Sequence, residues 1–150
     1  MIETKQILDV VGLYENAPFI LDSLKKLLAD NGQEVNSAIL FQHIQSGIRS
    51  DTIGLWIQFN KEKPTGVICI LLKEMDNGHL VAEIAFSDYL AGTKTKTVMD
   101  EFVVPWAQMK GAKAVRTFLP ATEEYDRPAT ERYLRRFKLE KKQIIYERVI

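Results

Sequence analysis

The chain has 150 residues, of which 46% are hydrophobic, so its size predicts one domain, residues 1–150, with a core of ordinary size. Twenty basic and twenty acidic residues give a formal net charge of zero, and this balance argues against a nucleic-acid or membrane-surface partner. The first residues lack a signal-like pattern, and no apolar run approaches the ~20 residues of a membrane span. We therefore expect a soluble, cytoplasmic protein.

The N-terminal third carries the spacing of helices. Apolar residues recur at intervals of three and four in segments 6–14 and 19–30, and Gly32 is suited to end the second helix. Asn36 or Ser37 can cap a third helix that runs to residue 48.

The pattern changes at residue 53 from helical spacing to segments rich in β-branched, aromatic and aliphatic residues. Segments 53–60 and 67–75 predict a hairpin, and we place its exposed tip at residues 64–66, where proline and glycine favour a turn. A second tight turn at residues 76–78 leads to a third strand, 80–86. These segments predict three antiparallel strands.

A loop and a helix follow the third strand. The helix has an apolar stripe that should pack on the sheet, formed by Val98, Phe102, Val103, Trp106 and Met109. Segment 114–119 predicts a strand parallel to 80–86, because a helical crossover separates the two. A further helix at 130–137 and a strand at 143–149 complete the predicted elements.

This order of elements resembles that of the GNAT acyltransferase superfamily over residues 50–150. The segment IAFSDYLAGTKTKTVMDEF is similar to the strand, loop and helix with which that superfamily holds acetyl-CoA. The resemblance implies an α/β fold with a mixed, mostly antiparallel sheet flanked by helices on both faces. It also implies acetyl-CoA as co-substrate, an amine as acceptor and no metal.

The resemblance places the acetyl-CoA contacts at the end of the third strand and in the loop. The family spaces a Gln or Arg, a Gly and a Gly or Ala so that backbone N–H groups grip the pyrophosphate; these positions are Tyr89, Gly92 and Lys94 here. Only Gly92 matches, and the side chain of Lys94 stands where the family has bare backbone. Hydroxyl and ammonium groups can hold an anion instead, or the loop is simply solvated. The implied cofactor-binding residues are Phe86, Gly92, Thr93, Lys94, Thr95, Lys96 and Thr97.

The segment ATERYLRRFKLE resembles the family's last helix. Family members often carry a tyrosine there, five residues before the Phe of a Gly-Phe pair, which protonates the departing thiolate of CoA. The Gly-Phe pair is absent from this sequence, and Tyr133 misses the corresponding position by one residue. Tyr133 is therefore a candidate acid, and the alternative is a packed tyrosine.

Glu83 is the candidate general base. It lies in the middle of the third strand among apolar neighbours, where a carboxylate could take the proton of an attacking amine. The alternative is a carboxylate on the less buried face of the sheet, or one paired with a lysine or arginine. Cys69 is expected to be a small buried hydrophobe, and neither His43 nor His79 has a metal-ligand companion at suitable spacing.

Two classes of function follow from these residues. The first is an N-acyltransferase that moves an acetyl group from acetyl-CoA to an amine. The second is a GNAT-fold protein that does not use acetyl-CoA and acts as a structural or interaction subunit, for instance in a viral particle, with a protein partner or further copies of itself. One fold hosts many functions, so the fold does not decide between them.

Overall fold

A computed structural model describes residues 2–30, 36–89 and 98–116 of the chain. These residues form one five-stranded sheet with the order β1-β2-β3-β4-β5. The predicted helix at 130–137 and the strand at 143–149 lie outside the described residues, as does the end of the strand predicted at 114–119. The strands are β1 Ile2–Gln6, β2 Ile53–Asn60, β3 Lys63–Glu74, β4 Leu80–Tyr89 and β5 Ala112–Arg116.

The sheet is mixed and mostly antiparallel, as the sequence predicted. Strands β1 to β4 pair antiparallel in chain order, and β5 pairs parallel with β4. The parallel pair requires a crossover, which a helical segment provides. The helices are α1 Val10–Glu15, α2 Ala17–Asp30, α3 Ser37–Arg49 and α4 Val104–Met109, and a π-helical segment, Met99–Val103, leads directly into α4.

Each face of the sheet has its own hydrophobic core, so helices cover both faces. On one face, which we call the α1–α3 face, helix residues such as Leu13 and Ile20 pack against Leu55 and Cys69 of the sheet. On the other, which we call the α4 face, residues of the crossover segment such as Val103 and Trp106 pack against Trp56 and Ile70 of the sheet. The predicted α/β class with helices on both faces is confirmed. Within the described ranges, no helix is long and apolar enough to span a membrane.

The prediction of a helix over 6–14 was wrong at its start. Gln6 ends strand β1, where it pairs with Trp56, and α1 begins at Val10 after Asp9, whose side chain accepts a hydrogen bond from the Gly12 N–H at 2.8 Å. The edge strand was missed because IETKQ contains one apolar residue and so lacks an alternating apolar pattern.

The hairpin tip was also predicted at the wrong place. The turn is formed by Lys61 and Glu62, whose φ angles are 50° and 67°, and β3 already begins at Lys63. Such a pair of positive φ angles is typical of a two-residue type I′ turn, whose twist matches the strands. Residues 64–66 lie in β3, and Gly66 is buried opposite Gln58 rather than exposed at a tip.

The predicted apolar stripe of the crossover helix is confirmed for four residues and wrong for one. Val98, Val103 and Trp106 are buried and Phe102 is partly buried in the α4-face core, whereas Met109 is 73% exposed. The π-helical turn has a cause in the sequence, since Pro105 cannot donate a hydrogen bond and its ring crowds the carbonyl four residues earlier. The wider turn before it is closed by the Val104 N–H, which donates to the Met99 carbonyl.

Candidate functional site

Strand β4 lies at the centre of the candidate site. It is hydrogen-bonded to β3 on one side and to β5 on the other, and the described pairing with β5 ends at Glu83 and Arg116. The register with β3 shifts between Ile84 and Phe86, which leaves one extra residue, Ala85, in β4. Such a β-bulge bends a strand and redirects its side chains, and bulges are frequent next to active sites.

The bulge decides which face each side chain of β4 takes. Before it, Ala82 and Ile84 belong to the α4-face core. After it, Phe86 lies opposite Cys69 and packs on the α1–α3 core. Glu83 lies between two α4-face residues, so strand alternation places it on the same face as Phe86.

Glu83, the candidate base, is mostly buried and has a cationic partner. Its Oε1 lies 3.7 Å from Nη2 of Arg116, and the side chains are 14% and 27% exposed, respectively. The two residues are also register partners across the parallel pair of strands. The structure thus finds the arginine pairing that the sequence left as an alternative, and the catalytic role of Glu83 stays a prediction.

A second carboxylate on β4 was missed by sequence reasoning. Asp88 is the cross-strand partner of Val67, a residue of the α1–α3 core, so it lies on the same face as Phe86. Its Oδ1 accepts a hydrogen bond from Nζ of Lys26 in α2 at 3.3 Å. The two residues are 62 positions apart in the chain, and no local pattern could have joined them.

Cys69 is confirmed as a buried hydrophobic residue. It is 1% exposed within the α1–α3 core, and burial raises the pKa of its thiol to about 12. A thiol that stays protonated at neutral pH is a poor nucleophile. In the described part of the chain, no three His, Cys, Asp or Glu residues lie together in a way that could hold a metal ion.

The remaining predicted site residues lie outside the described residues, so they stay predictions. They are Gly92, Thr93, Lys94, Thr95, Lys96, Thr97 and Tyr133. After these loop residues, the first turn of the π-helical segment carries Asp100 and Glu101, both exposed. They follow Val98, which is already helical, and come three and four residues after Thr97 in the sequence.

Comparison with known proteins agrees with this architecture. No protein-family model matches the sequence, and no curated protein is similar to it in sequence. A predicted acetyltransferase from Clostridium acetobutylicum, solved with acetyl-CoA, has a TM-score of 0.69 and 11% identity over 99% of this chain and 96% of its own. Glucosamine-6-phosphate N-acetyltransferase from Arabidopsis thaliana gives a TM-score of 0.67 and 10% identity over 99% and 98% of the two chains.

A third similar structure is an aminoglycoside acetyltransferase from an uncultured soil metagenomic sample, in complex with sisomicin. Its TM-score is 0.64, with 13% identity over 99% of this chain and 95% of that one. At these identities the likeness concerns the fold. The chain has the fold of the GNAT acetyltransferases, and the resemblance stated from the sequence is confirmed at that level.

Proposed function

We propose that the protein is a GNAT-type N-acyltransferase that moves an acetyl group from acetyl-CoA to an amine. The observation that carries the proposal is the parallel pair β4 and β5 with a bulge at Ala85 and a mostly buried carboxylate, Glu83, two residues before it. The same fold is found in a neighbour solved with acetyl-CoA.

Acetyl transfer requires a neutral amine, because an ammonium group has no lone pair with which to attack the thioester carbon. Glu83 would take the proton of the amine, directly or through a water molecule. Its pairing with Arg116 fixes the position of the carboxylate against the strand. Phe86, half-buried on the same face, would provide an apolar wall beside the acetyl group.

The other predicted roles follow from the resemblance. The loop from Gly92 to Thr97 would hold the pyrophosphate through backbone N–H groups, hydroxyls and the ammonium groups of its lysines. As the C–N bond forms and the C–S bond breaks, Tyr133 would protonate the CoA thiolate.

Acetyl-CoA binding is the first test. At 100 times Kd, a ligand that binds only the folded state stabilises it by about 2.7 kcal/mol, so melting curves with and without acetyl-CoA should differ clearly. Equal melting temperatures at millimolar acetyl-CoA would contradict the proposal.

Glu83→Gln is the second test, made on protein with acetyl-CoA and a panel of amines. Loss of a general base lowers kcat by about a hundredfold or more. Glu74→Gln is the matched control, since Glu74 is an exposed carboxylate at the end of β3. Melting of both variants is measured as well, because Glu83→Gln leaves Arg116 without this carboxylate. A Glu83→Gln variant with parental kcat would remove Glu83 from the mechanism.

One observation favours the alternative function, a GNAT-fold subunit that does not bind acetyl-CoA. The exposed carboxylates of Asp100 and Glu101 follow the predicted pyrophosphate loop by three and four residues, and their negative charges would oppose a phosphate group bound there. The side chain of Lys94, at the second glycine position of the family, would also disfavour acetyl-CoA binding, because it stands where the family has bare backbone. Absence of any acetyl-CoA effect on melting, together with a stable oligomer in solution, would support this function instead.

A further inference from the structure

Strand β1 forms one edge of the sheet. It pairs with β2, and no other strand in the described part of the chain pairs with it. Its sequence is IETKQ, and the side chains of Glu3 and Lys5 are 63% and 59% exposed. An edge strand presents a row of backbone N–H and C=O groups that can pair with a further strand.

The register with β2 decides which backbone groups of β1 point to this edge. Ile7, directly after the strand, donates its N–H to the carbonyl of Leu55 at 2.8 Å, in continuation of the β1–β2 register. Hydrogen-bonded positions alternate along an antiparallel strand, so the odd-numbered residues of β1 bond to β2. The even-numbered residues turn their N–H and C=O groups to the open edge, and these are Ile2, Thr4 and Gln6.

The sequence of β1 is self-complementary in one antiparallel register. When Thr4 lies opposite Thr4 of a second copy, Ile2 lies opposite Gln6, and every outward backbone group meets another. Glu3 then lies opposite Lys5 at both ends of the pair. A shift by one residue would set outward groups against groups already bonded to β2. A shift by two would place Glu3 opposite Glu3, or Lys5 opposite Lys5.

The positions of Glu3 and Lys5 suit ion pairs between the two copies. In this register they form non-hydrogen-bonded pairs, whose Cα atoms are about 4.5 Å apart and whose side chains are close. Opposite charges directly across a strand pair stabilise it, and like charges destabilise it. Within one chain the Lys5 Nζ lies 4.0 Å from Glu3, so a second copy would give each lysine a second carboxylate. A lysine that would otherwise discourage edge pairing thereby favours it.

We propose that the β1 edge binds the β1 edge of a second copy of this chain, so that two sheets join into one across a two-fold axis. The proposal goes beyond the acyltransferase function and does not depend on acetyl-CoA binding. The edge is three strands from β4, or about 14 Å, so the candidate site stays open in the dimer. A strand of five residues forms a small interface, so the dimer should be a weak one.

Sedimentation equilibrium of the full chain, from micromolar to about 1 mM protein, measures this association. The parent should pass from monomer to dimer without larger species, because a two-fold pairing uses the edge of each copy. Glu3→Lys and Lys5→Glu should each weaken the dimer about tenfold, because like charges then face each other at both ends. The double variant, Glu3→Lys with Lys5→Glu, should restore dimerisation, because the opposed charges are again opposite in sign.

Thr4→Pro tests the backbone part of the interface. Proline is tolerated on an edge strand where its missing N–H would face solvent, so pairing with β2 should survive while the dimer is lost. Melting of every variant shows that the monomer is folded. The matched control is Glu74→Lys, which makes the same charge change as Glu3→Lys at an exposed position of β3 and should leave the dimer constant within twofold.

Several outcomes would overturn the proposal. They are a parent that stays monomeric up to about 1 mM, an equal weakening by Glu74→Lys and Glu3→Lys, and a double variant that dimerises no better than the single variants. Acetyl-CoA binding is titrated in parallel for the parent and Glu3→Lys and should be the same in both. A dimer with this mutational pattern in a protein that does not bind acetyl-CoA would support the interface and count against the acyltransferase function.

Discussion

Trp56 of β2 and Trp106 of α4 meet edge to face, with ring centroids 5.4 Å apart and ring planes at 86°. This contact joins the crossover helix to the sheet in the middle of the α4-face core. It depends on Gly54, because a Cβ at that position would lie 2.5 Å from the Trp56 ring and 3.1 Å from the Trp106 ring.

We expect Gly54→Ala to destabilise the fold by about 1–3 kcal/mol, because the added methyl group overpacks the two indoles. The matched control is Gly12→Ala in α1, where the nearest atoms to a new Cβ are 3.4 Å away. Chemical denaturation of both variants measures the difference. Equal stability of the Gly54→Ala variant and the parent would show that the two rings can move apart freely.

The hairpin turn offers a stabilising change. Lys61 and Glu62 both adopt positive φ angles, which cost a side-chain-bearing residue about 1–2 kcal/mol each. Glu62→Gly should stabilise the fold by about 1 kcal/mol. The greater conformational freedom of glycine in the unfolded chain reduces this gain. The control is Glu74→Gly, at an exposed position of β3, which should destabilise the fold. A lower melting temperature for Glu62→Gly would contradict the type I′ assignment.

Elements with a local apolar pattern were predicted from the sequence, and elements that depend on pairing with distant segments were not. Strands β2, β3 and β4 were predicted because each has a long apolar run that two cores bury. The edge strand β1 has one apolar residue in five, so its pairing with β2 is a tertiary effect with no local pattern. The predicted position of the hairpin tip was wrong because it relied on proline and glycine, which are common turn residues. In the structure Asn60 pairs with Lys63, and this register leaves Lys61 and Glu62 as the turn.

The candidate site was predicted less completely than the fold. Glu83 and Phe86 were proposed as site residues from their place in a continuous strand, and their roles stay predictions. The bulge at Ala85 and the contact between Lys26 and Asp88 arise from pairing between distant segments, which a single sequence does not encode locally.

Gln58 lies buried in β2 at 2% exposure, and its side-chain Oε1 has no hydrogen-bond partner among the residues that the structure describes. An unpaired buried carbonyl costs about 1–3 kcal/mol. Gln58→Met has nearly the same shape without the amide, so we expect it to raise the free energy of unfolding by about 1 kcal/mol. Gln45→Met, which removes the acceptor of the Tyr14 hydroxyl on the surface, should not stabilise the fold. A destabilised Gln58→Met variant would mean that the amide contributes through its N–H groups.

Cys69 predicts a loss of stability at alkaline pH. Its folded pKa is raised by burial from 9.0 to about 12, so above pH 9 the unfolded chain releases the thiol proton while the folded chain keeps it. The stability that the protonated Cys69 thiol contributes is fully present below pH 9 and is lost as the pH rises towards 12. In Cys69→Ala the fall in unfolding free energy across this range should be shallower than in the parent. Parallel curves for the two proteins would contradict a buried, protonated thiol.

Lys94 and Lys96 fall in the sequence between β4 and the crossover segment, where a loop is predicted. If Lys94 blocks the close approach of a pyrophosphate to the backbone, Lys94→Gly should bind acetyl-CoA more tightly than the parent despite the loss of a positive charge. If Lys94 and Lys96 instead hold the phosphates, replacing both by Ala should weaken binding at least about tenfold, since a charge-assisted hydrogen bond contributes about 1.5–3 kcal/mol. We expect the first outcome, because close backbone approach is a steric requirement that a more distant charge does not replace. Calorimetric titration of the parent and both variants distinguishes the two. Tight binding by the parent that falls in Lys94→Gly would contradict the expectation, and absence of heat from all three would favour the subunit function over the acyltransferase.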